Sequence, residues 1–382
     1  MGGKERSGGK PTGRITAAEW AESVRQDKRN YMRRFNYGEI ESFSEAKALE
    51  ETETAVRQLQ SRDVPSPPAF VVVMRDGRVW GKDGVVITPE KRVLFDVSLE
   101  FRSNYLMRGR HSIFKKWKEY DLQETDDTVG VAANAGSDNY FHWLLDTLPR
   151  IELLRKCDRT IDKYLFRGEG WKPFHNELLD LLGIPAEKRM FTNDTFYLKA
   201  RRLVVPSLAG RFTWENGYPQ PIAYAKRAVD FLRNELLGRL DISESEKGRR
   251  LFISRANASR RKLVNEDEIY RIVRPLGFRL VSSESMPVAE QIKLFASAEA
   301  VVAPHGAGLA NIVFCRPGTK VIELFCRNYT PGYFWMLSNH ASLDYYYLTG
   351  EEARLPKHRW EGAVDYRIDP RRFKDVLKKA GL

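Results

Sequence analysis

Cysteine is scarce in this chain: three residues in 382, at Cys157, Cys315 and Cys326. An odd count without metal-binding spacing argues against a disulfide framework and favours a reducing compartment. Long apolar runs are missing too. No stretch approaches the roughly 18 consecutive apolar residues that a membrane span requires, and the first 30 residues hold no signal-peptide apolar core. The expectation is a soluble, cytoplasmic protein with at most peripheral contact with an inner membrane surface. The opening "MGGKERS" comes near a myristoylation signal but has Arg6 where that pattern needs Ser or Thr. There is no internal repeat of fixed period. No Asp-x-Asp stands at an expected strand end, which removes the simplest carboxylate pair for a divalent metal.

What is plentiful is positive charge. Against 51 Asp+Glu stand 63 Lys+Arg, a formal net charge of +12. Such a surplus favours acidic partners: nucleic acid, anionic lipid or phosphorylated small molecules. The length exceeds one comfortable core, so two domains are expected.

The texture divides the chain. Residues 1–65 read as an extension, basic and mobile at first and then helical in "SEAKALEETETAVRQLQ", closing at "VPSPPAF". Residues 66–242 form a first α/β domain: short strands and hairpins from Ala69 to about Leu99, then strand-like "TVGVAA", "KYLFRG" and "ARRLVVP" alternating with helical runs, and a long helical stretch from Pro221 to about Leu240. The polar "DISESEKGRR" marks the boundary. Residues 243–350 alternate regularly: strands "RRLFISR", "FRLVSS", "AVVAP", "KVIELF" and "DYYYLTG" are separated by helices, as in a doubly wound parallel sheet. Residues 351–382 end in an amphipathic helix, expected to pack back across the domains.

The most informative stretch is "VVAPHGAGLANIVFC", Val301 to Cys315. A strand ends there and a helix begins, with backbone N–H groups unpaired at the positive end of the helix dipole. That is an anion site. Gly306, Ala307 and Gly308 offer close backbone approach, and His305 adds a side-chain donor. The loop lacks the Lys-Ser/Thr of a P-loop and the third glycine of a dinucleotide fingerprint, so an ordinary glycine turn is the competing reading.

Arg255 ends the first strand of the same sheet, with Arg260, Arg261 and Lys262 behind it. In a parallel sheet both strand ends share one edge, so Arg255 can reach an anion held at Gly306–Gly308. A solvated basic turn is the alternative for the later cations. Glu323 in "KVIELF" is read at the end of the next strand, accepting hydrogen bonds from a ribose diol or forming a strand-end salt bridge.

In "SDNYFHWLLDTLPRIELL", Ser137 or Asp138 reads as a helix N-cap, and His142, Asp146 and Arg150 fall at i, i+4 and i+8 on one face. Pro149 is expected to kink or end the helix. A histidine and a carboxylate so spaced form an oriented acid–base pair or a buried structural hydrogen bond.

Together "NYFHWLLDTLPR", "ISRANASRRKLVN" and "PHGAGLANIVFCRPGTKVIELF" resemble glycosyltransferase family 61, over roughly Thr128 to His340. The resemblance implies a GT-B-like α/β fold, two Rossmann-like domains facing a cleft, and inverting transfer from a nucleoside diphosphate sugar. A UDP-sugar is the expected donor and a glycan or lipid-linked glycan the acceptor, in bacterial capsule or polysaccharide synthesis. It assigns Arg255, His305, Gly306, Ala307, Gly308 and Glu323 to the nucleotide side, and His142 and Asp146 to catalysis; Arg260, close behind Arg255 in the basic stretch, is read as a further ligand on the nucleotide side. The basic groups then neutralise the departing diphosphate, and no metal cofactor is expected. The competing functions are a GT-B-like pyruvyl transferase, a nucleic-acid-binding protein and an inactive scaffold. Nucleic acid is disfavoured because the aromatics show no base-stacking pattern.

Overall fold

The computed structural model describes residues 9–49, 59–98, 100, 111–215, 218–242, 248–353 and 364–382. "MGGKERS", the centre of "SEAKALEETETAVRQLQ" and half of "DISESEKGRR" lie outside them. Of that expected helix, Ser44 to Leu49 is not helical, Lys47 instead bridging to Tyr346, whereas Leu59 at its far end is helical. Among the described residues no helix is long and apolar enough to cross a membrane.

Two compact units divide the chain, Met1–Glu39 with Ser66–Ile222 and Ile40–Pro65 with Ala223–Leu382. The boundary thus falls twenty residues before the one expected at 242/243, and residues 1–65 are shared between the units rather than standing apart. Where a long helix was expected from Pro221, the chain forms a strand over Tyr218–Tyr224 and turns helical at Lys226.

Unit one is built on a ten-stranded mixed sheet. Its strands are β1 (Gly13–Ile15), β2 (Tyr31–Phe35), β3 (Ala69–Arg75), β4 (Arg78–Trp80), β5 (Val85–Ile87), β6 (Arg92–Leu94), β7 (Gln123–Val131), β8 (Lys163–Arg167), β9 (Arg189–Thr192) and β10 (Tyr197–Pro206). Only β10-β7-β8-β9 form a parallel run like the Rossmann-like sheet that was expected. The apolar text from Ala69 onward has connections too short for parallel crossovers, so its neighbouring strands β4, β5 and β6 pair antiparallel with one another, while β6 also pairs parallel with β1. β3 and β4 both run against β10, with Arg75 opposite Arg202 and Arg78 opposite Lys199. The "RDG" between them, which reads as a turn, is a kink in one continuous run, with Asp76 at φ 56°. Val72, Met74, Val129, Val131, Leu165, Leu203 and Val205 lie in this unit's core.

Unit two follows the alternation in its sequence. The strands of its main sheet are β11 (Arg249–Ile253), β12 (Phe278–Val281), β13 (Ala298–Pro304), β14 (Lys320–Cys326), β15 (Asp344–Glu352) and β16 (Tyr366–Arg367). The order is β12-β11-β13-β14-β15-β16, parallel except for the antiparallel β16. Read by position, the first five strands run 2-1-3-4-5, one of the two common doubly wound orders, whose ligand crevice opens between strands 1 and 3. Here those are β11 and β13, and they deliver Arg255 and His305.

The helix Glu266–Val273 opens on Glu266, Asp267 and Glu268, which suit its positive end. The C-terminal helix Pro370–Lys379 buries Phe373, Val376 and Leu377 in the core of unit two with Ile322, Leu324 and Leu348. It therefore packs within this unit, where packing across the domains was expected, because its apolar stripe is used up against its own sheet.

Candidate functional site

Each unit carries one cluster of the residues singled out by sequence. In unit two the chain leaves β11 at Ser254, whose hydroxyl donates to Glu266; the Arg255 backbone N–H donates to the other oxygen of that carboxylate at 2.8 Å. This clamp fixes where the arginine starts. Its side chain then crosses the "PHGAG" loop: a Cβ placed on Gly306 would stand 1.8 Å from Arg255 Nη1. The expected meeting of Arg255 with the glycine loop is present, and only a glycine at 306 permits it. Gly306 itself is extended, at φ 173°. A Cβ on Gly308 would meet nothing nearer than 3.7 Å, so this glycine is not required by contact.

Arg255 Nη2 donates to the Arg260 carbonyl at 3.0 Å, whereas its Nε is buried with no hydrogen-bond partner among the described residues. Burial, then the nearby Arg261, lowers its pKa from the usual guanidinium range. A buried donor at a strand-end crevice is a group that an anion can satisfy. A second such atom is Ser283 Oγ, just after β12, 3.7 Å from the point a Gly308 Cβ would occupy. Sequence reasoning missed Ser283, although its position at the carboxyl end of the strand beside β11 was a usable signal.

Arg260 was expected among the anion ligands, but its side chain is exposed and its carbonyl makes the contact with Arg255. Arg261 is the cation that turns inward, its guanidinium 5.7 Å from the Tyr329 ring centroid and its backbone at φ 56°. That left-handed conformation is uncommon for a residue with a Cβ. Ala307 opens a helix over Ala307–Phe314, but of 3-10 rather than α type.

Glu323 is corrected more strongly. It lies in the middle of β14, 0% exposed, where the sequence reading put it at a strand end, and both its oxygens are engaged. His305 Nδ1 is 2.5 Å from Oε1, and the Tyr345 hydroxyl donates to Oε2 at 2.5 Å. Wholly buried, the carboxylate is out of reach of a ribose diol. The register explains the pairing. Ala303 and Tyr347 flank Glu323 on the two sides, so His305, two residues beyond Ala303, and Tyr345, two before Tyr347, sit diagonally across the same face. The His305 ring stacks on Phe325 at 5.3 Å and meets Tyr329 edge-on.

In unit one the second cluster rides on a helix in three pieces: α-helical Tyr140–His142, a π-helical turn Trp143–Thr147, and α-helical Leu148–Arg155. The N-cap is Asn139, whose side chain accepts from Phe141 N. Ser137 and Asp138, the expected caps, bond elsewhere, to the Asn134 carbonyl and to Arg167. Pro149 does not end the helix. Its missing N–H and its ring, which crowds the Leu145 carbonyl, are accommodated by the wider turn just before it.

His142 Nδ1 and Asp146 Oδ2 are 2.7 Å apart, with 23% of the histidine side chain exposed and 3% of the aspartate's. The buried carboxylate fixes the ring, and the ring reaches solvent. Such a pair can accept a proton through the imidazole while the carboxylate stabilises the cation. Arg150 serves the structure instead. It is buried and donates to the carbonyls of Ala133 at 2.7 Å and Pro206 at 3.0 Å, tying the helix to the ends of β7 and β10. Burial pushes its pKa down to about 10, so it stays charged at neutral pH beside Asp146.

Comparison with known proteins bears on both clusters. The beta-1,2-xylosyltransferase XYXT1 of Oryza sativa subsp. japonica is 30% identical over 168 residues, 36% of this chain and 36% of that protein. The beta-1,2-xylosyltransferase RCN11 of the same plant is 36% identical over 72 residues, 18% of this chain and 14% of that one. The chain spans about a third or less of the length of these curated relatives. Among solved structures, the bacterial iron-containing dodecameric glycosyltransferase TibC from enterotoxigenic E. coli H10407 aligns with 92% of this chain and 93% of its own at 11% identity, with a TM-score of 0.35. The family model described as glycosyltransferase 61 matches residues 140–322, a segment that includes His142, Asp146, Arg255, His305 and Gly306. Over that segment, the chain is similar to the glycosyltransferase 61 family.

Proposed function

We propose that the protein is an inverting glycosyltransferase that moves a sugar from a nucleoside diphosphate sugar to a hydroxyl of a glycan or lipid-linked glycan, in polysaccharide synthesis. The observation that carries the reading is the Arg255 guanidinium laid across Gly306 at the switch point of the unit two sheet, inside the matched segment. Arg255, Arg261 and the backbone of the "PHGAG" loop take the diphosphate. Their positive charge stabilises the leaving group as its bond to the anomeric carbon breaks. His142 and Asp146 of unit one take the proton of the acceptor hydroxyl. The names of the two plant relatives support a pentose such as xylose as the first donor sugar to try, on UDP.

The test is a donor panel. The purified chain is incubated with UDP-, GDP- and TDP-linked sugars, including UDP-xylose, with and without a chelator, and release of nucleoside diphosphate is followed. Release from one donor, accelerated by an oligosaccharide acceptor and unchanged by chelation, is expected. Complete loss on chelation, restored by Mg²⁺ or Mn²⁺, contradicts leaving-group stabilisation by protein cations alone.

A further inference from the structure

Three buried side chains of unit two form a line that the proposed reaction does not use. His305, Glu323 and Tyr345 are joined by two contacts of 2.5 Å and come from three adjacent strands or their ends. Glu323 is wholly buried, and no lysine or arginine pairs with it among the described residues. An ionised carboxylate in that setting is costly, and a proton held on the pair removes the cost. We propose that Glu323 and Tyr345 are positioning residues that lock the His305 ring, with Nδ1 accepting from the Glu323 carboxyl and Nε2–H presented as a donor to the diphosphate. This inference rests on the donor-site reading above.

The arrangement follows from the donors available. Tyr345, buried and held protonated because burial raises its pKa, donates to Oε2. Burial also pushes the Glu323 carboxyl well above its usual range. The His305 ring is driven the other way, by burial and then by the Arg261 and Arg255 charges. The shared proton therefore sits on Oε1 and donates to Nδ1. The second ring nitrogen then carries its hydrogen, and it has no partner among the described residues. The charged and titratable groups around the ring are Glu323 and Tyr345 on the sheet, Tyr329 beyond β14, and Arg255 and Arg261 beyond β11. A neutral N–H donor fixed in this way supplements the two cations without adding a third charge to the crevice.

Two variants separate positioning from mere packing. Glu323→Gln keeps the arrangement, since its amide N–H can donate to Nδ1 and its carbonyl can accept from Tyr345. Glu323→Met keeps the volume and removes both bonds. The tautomer is read directly by ¹⁵N NMR of the full chain labelled at its six histidines, with His305→Gln assigning the signal. UDP is the binding probe, titrated by calorimetry. The inference predicts the Nε2–H form in the free wild-type chain and in Glu323→Gln, with UDP affinities within about twofold of each other. It predicts loss of the fixed tautomer and roughly tenfold weaker UDP binding in Glu323→Met, the effect of one hydrogen bond to a charged group. Tyr345→Phe, which only trims a hydroxyl, is predicted to fall between them and serves if Glu323→Met does not fold. A Nδ1–H tautomer in the wild-type chain overturns the inference, as does undiminished UDP binding in a folded Glu323→Met. A wild-type chain that shows the Nε2–H form and binds no UDP overturns the donor-site reading instead.

Discussion

Asp146 is buried at 2% exposure and His142 is the group through which it reaches solvent. If the pair takes the acceptor's proton, Asp146→Asn and His142→Ala should each lower turnover by about 10²–10⁴-fold and leave nucleotide binding nearly unchanged. The double variant should be little worse than the worse single one, since groups acting as a unit are not additive. Steady-state kinetics on the donor identified by the panel decides this. The glycines offer a sharper contrast at the same scale. Gly306→Ala drives a methyl into Arg255 Nη1, so the guanidinium must leave its place and UDP binding should weaken by about ten- to a hundredfold. Gly308→Ala, with 3.7 Å to its nearest neighbour, should bind within about twofold of wild type. Calorimetric titration of both variants checks the pair together.

At the scale of elements, the π turn Trp143–Thr147 is set by Pro149 and places His142 relative to Asp146. Pro149→Ala restores an N–H that an ordinary α-helix uses, and the wide turn loses its cause. The expected result is unchanged or slightly raised thermal stability with turnover down by about tenfold, read from melting and kinetics on one preparation. Unchanged turnover would mean that the turn is incidental. Periodicity and turn signals made the strands and helices of unit two legible, and with them the meeting of Arg255 and the glycine loop, because parallel strand ends share an edge. Other features depend on tertiary facts. The diagonal of His305, Glu323 and Tyr345 needs the register of three strands, residues 18 and 22 apart in sequence. The inward turn of Arg261 needs its positive φ, and the continuity of β3 with β4 through Asp76–Gly77 needs the partner strand β10. None of these is written in local composition.

At the scale of the whole molecule, a net charge of +12 sits on a chain that buries His111, His175, His305 and His340. Burial brings His340 down to about 4, and its Nε2 donates to the Tyr224 carbonyl at 2.7 Å. His111, His175 and His305 are lowered too, burial being the first cause in each. A lowered histidine binds its proton more readily in the unfolded chain. Its contribution to stability is therefore complete above an unfolded pKa of about 6.5 and is lost as the pH falls towards the folded value. His340 alone should remove about 2 kcal/mol between pH 7 and 5. Urea unfolding at those two pH values should show a clear fall in midpoint, and a flat profile would contradict the assignment of neutral buried rings.

The central claim, that unit two binds a nucleoside diphosphate across Arg255 and Gly306, is met most directly by titrating UDP into the wild-type chain and into Arg255→Ala. The account predicts saturable binding to wild type and a loss of about 1.5–3 kcal/mol in the variant, roughly ten- to 150-fold in affinity. Equal affinity in the two chains would remove Arg255 from the site and contradict the account.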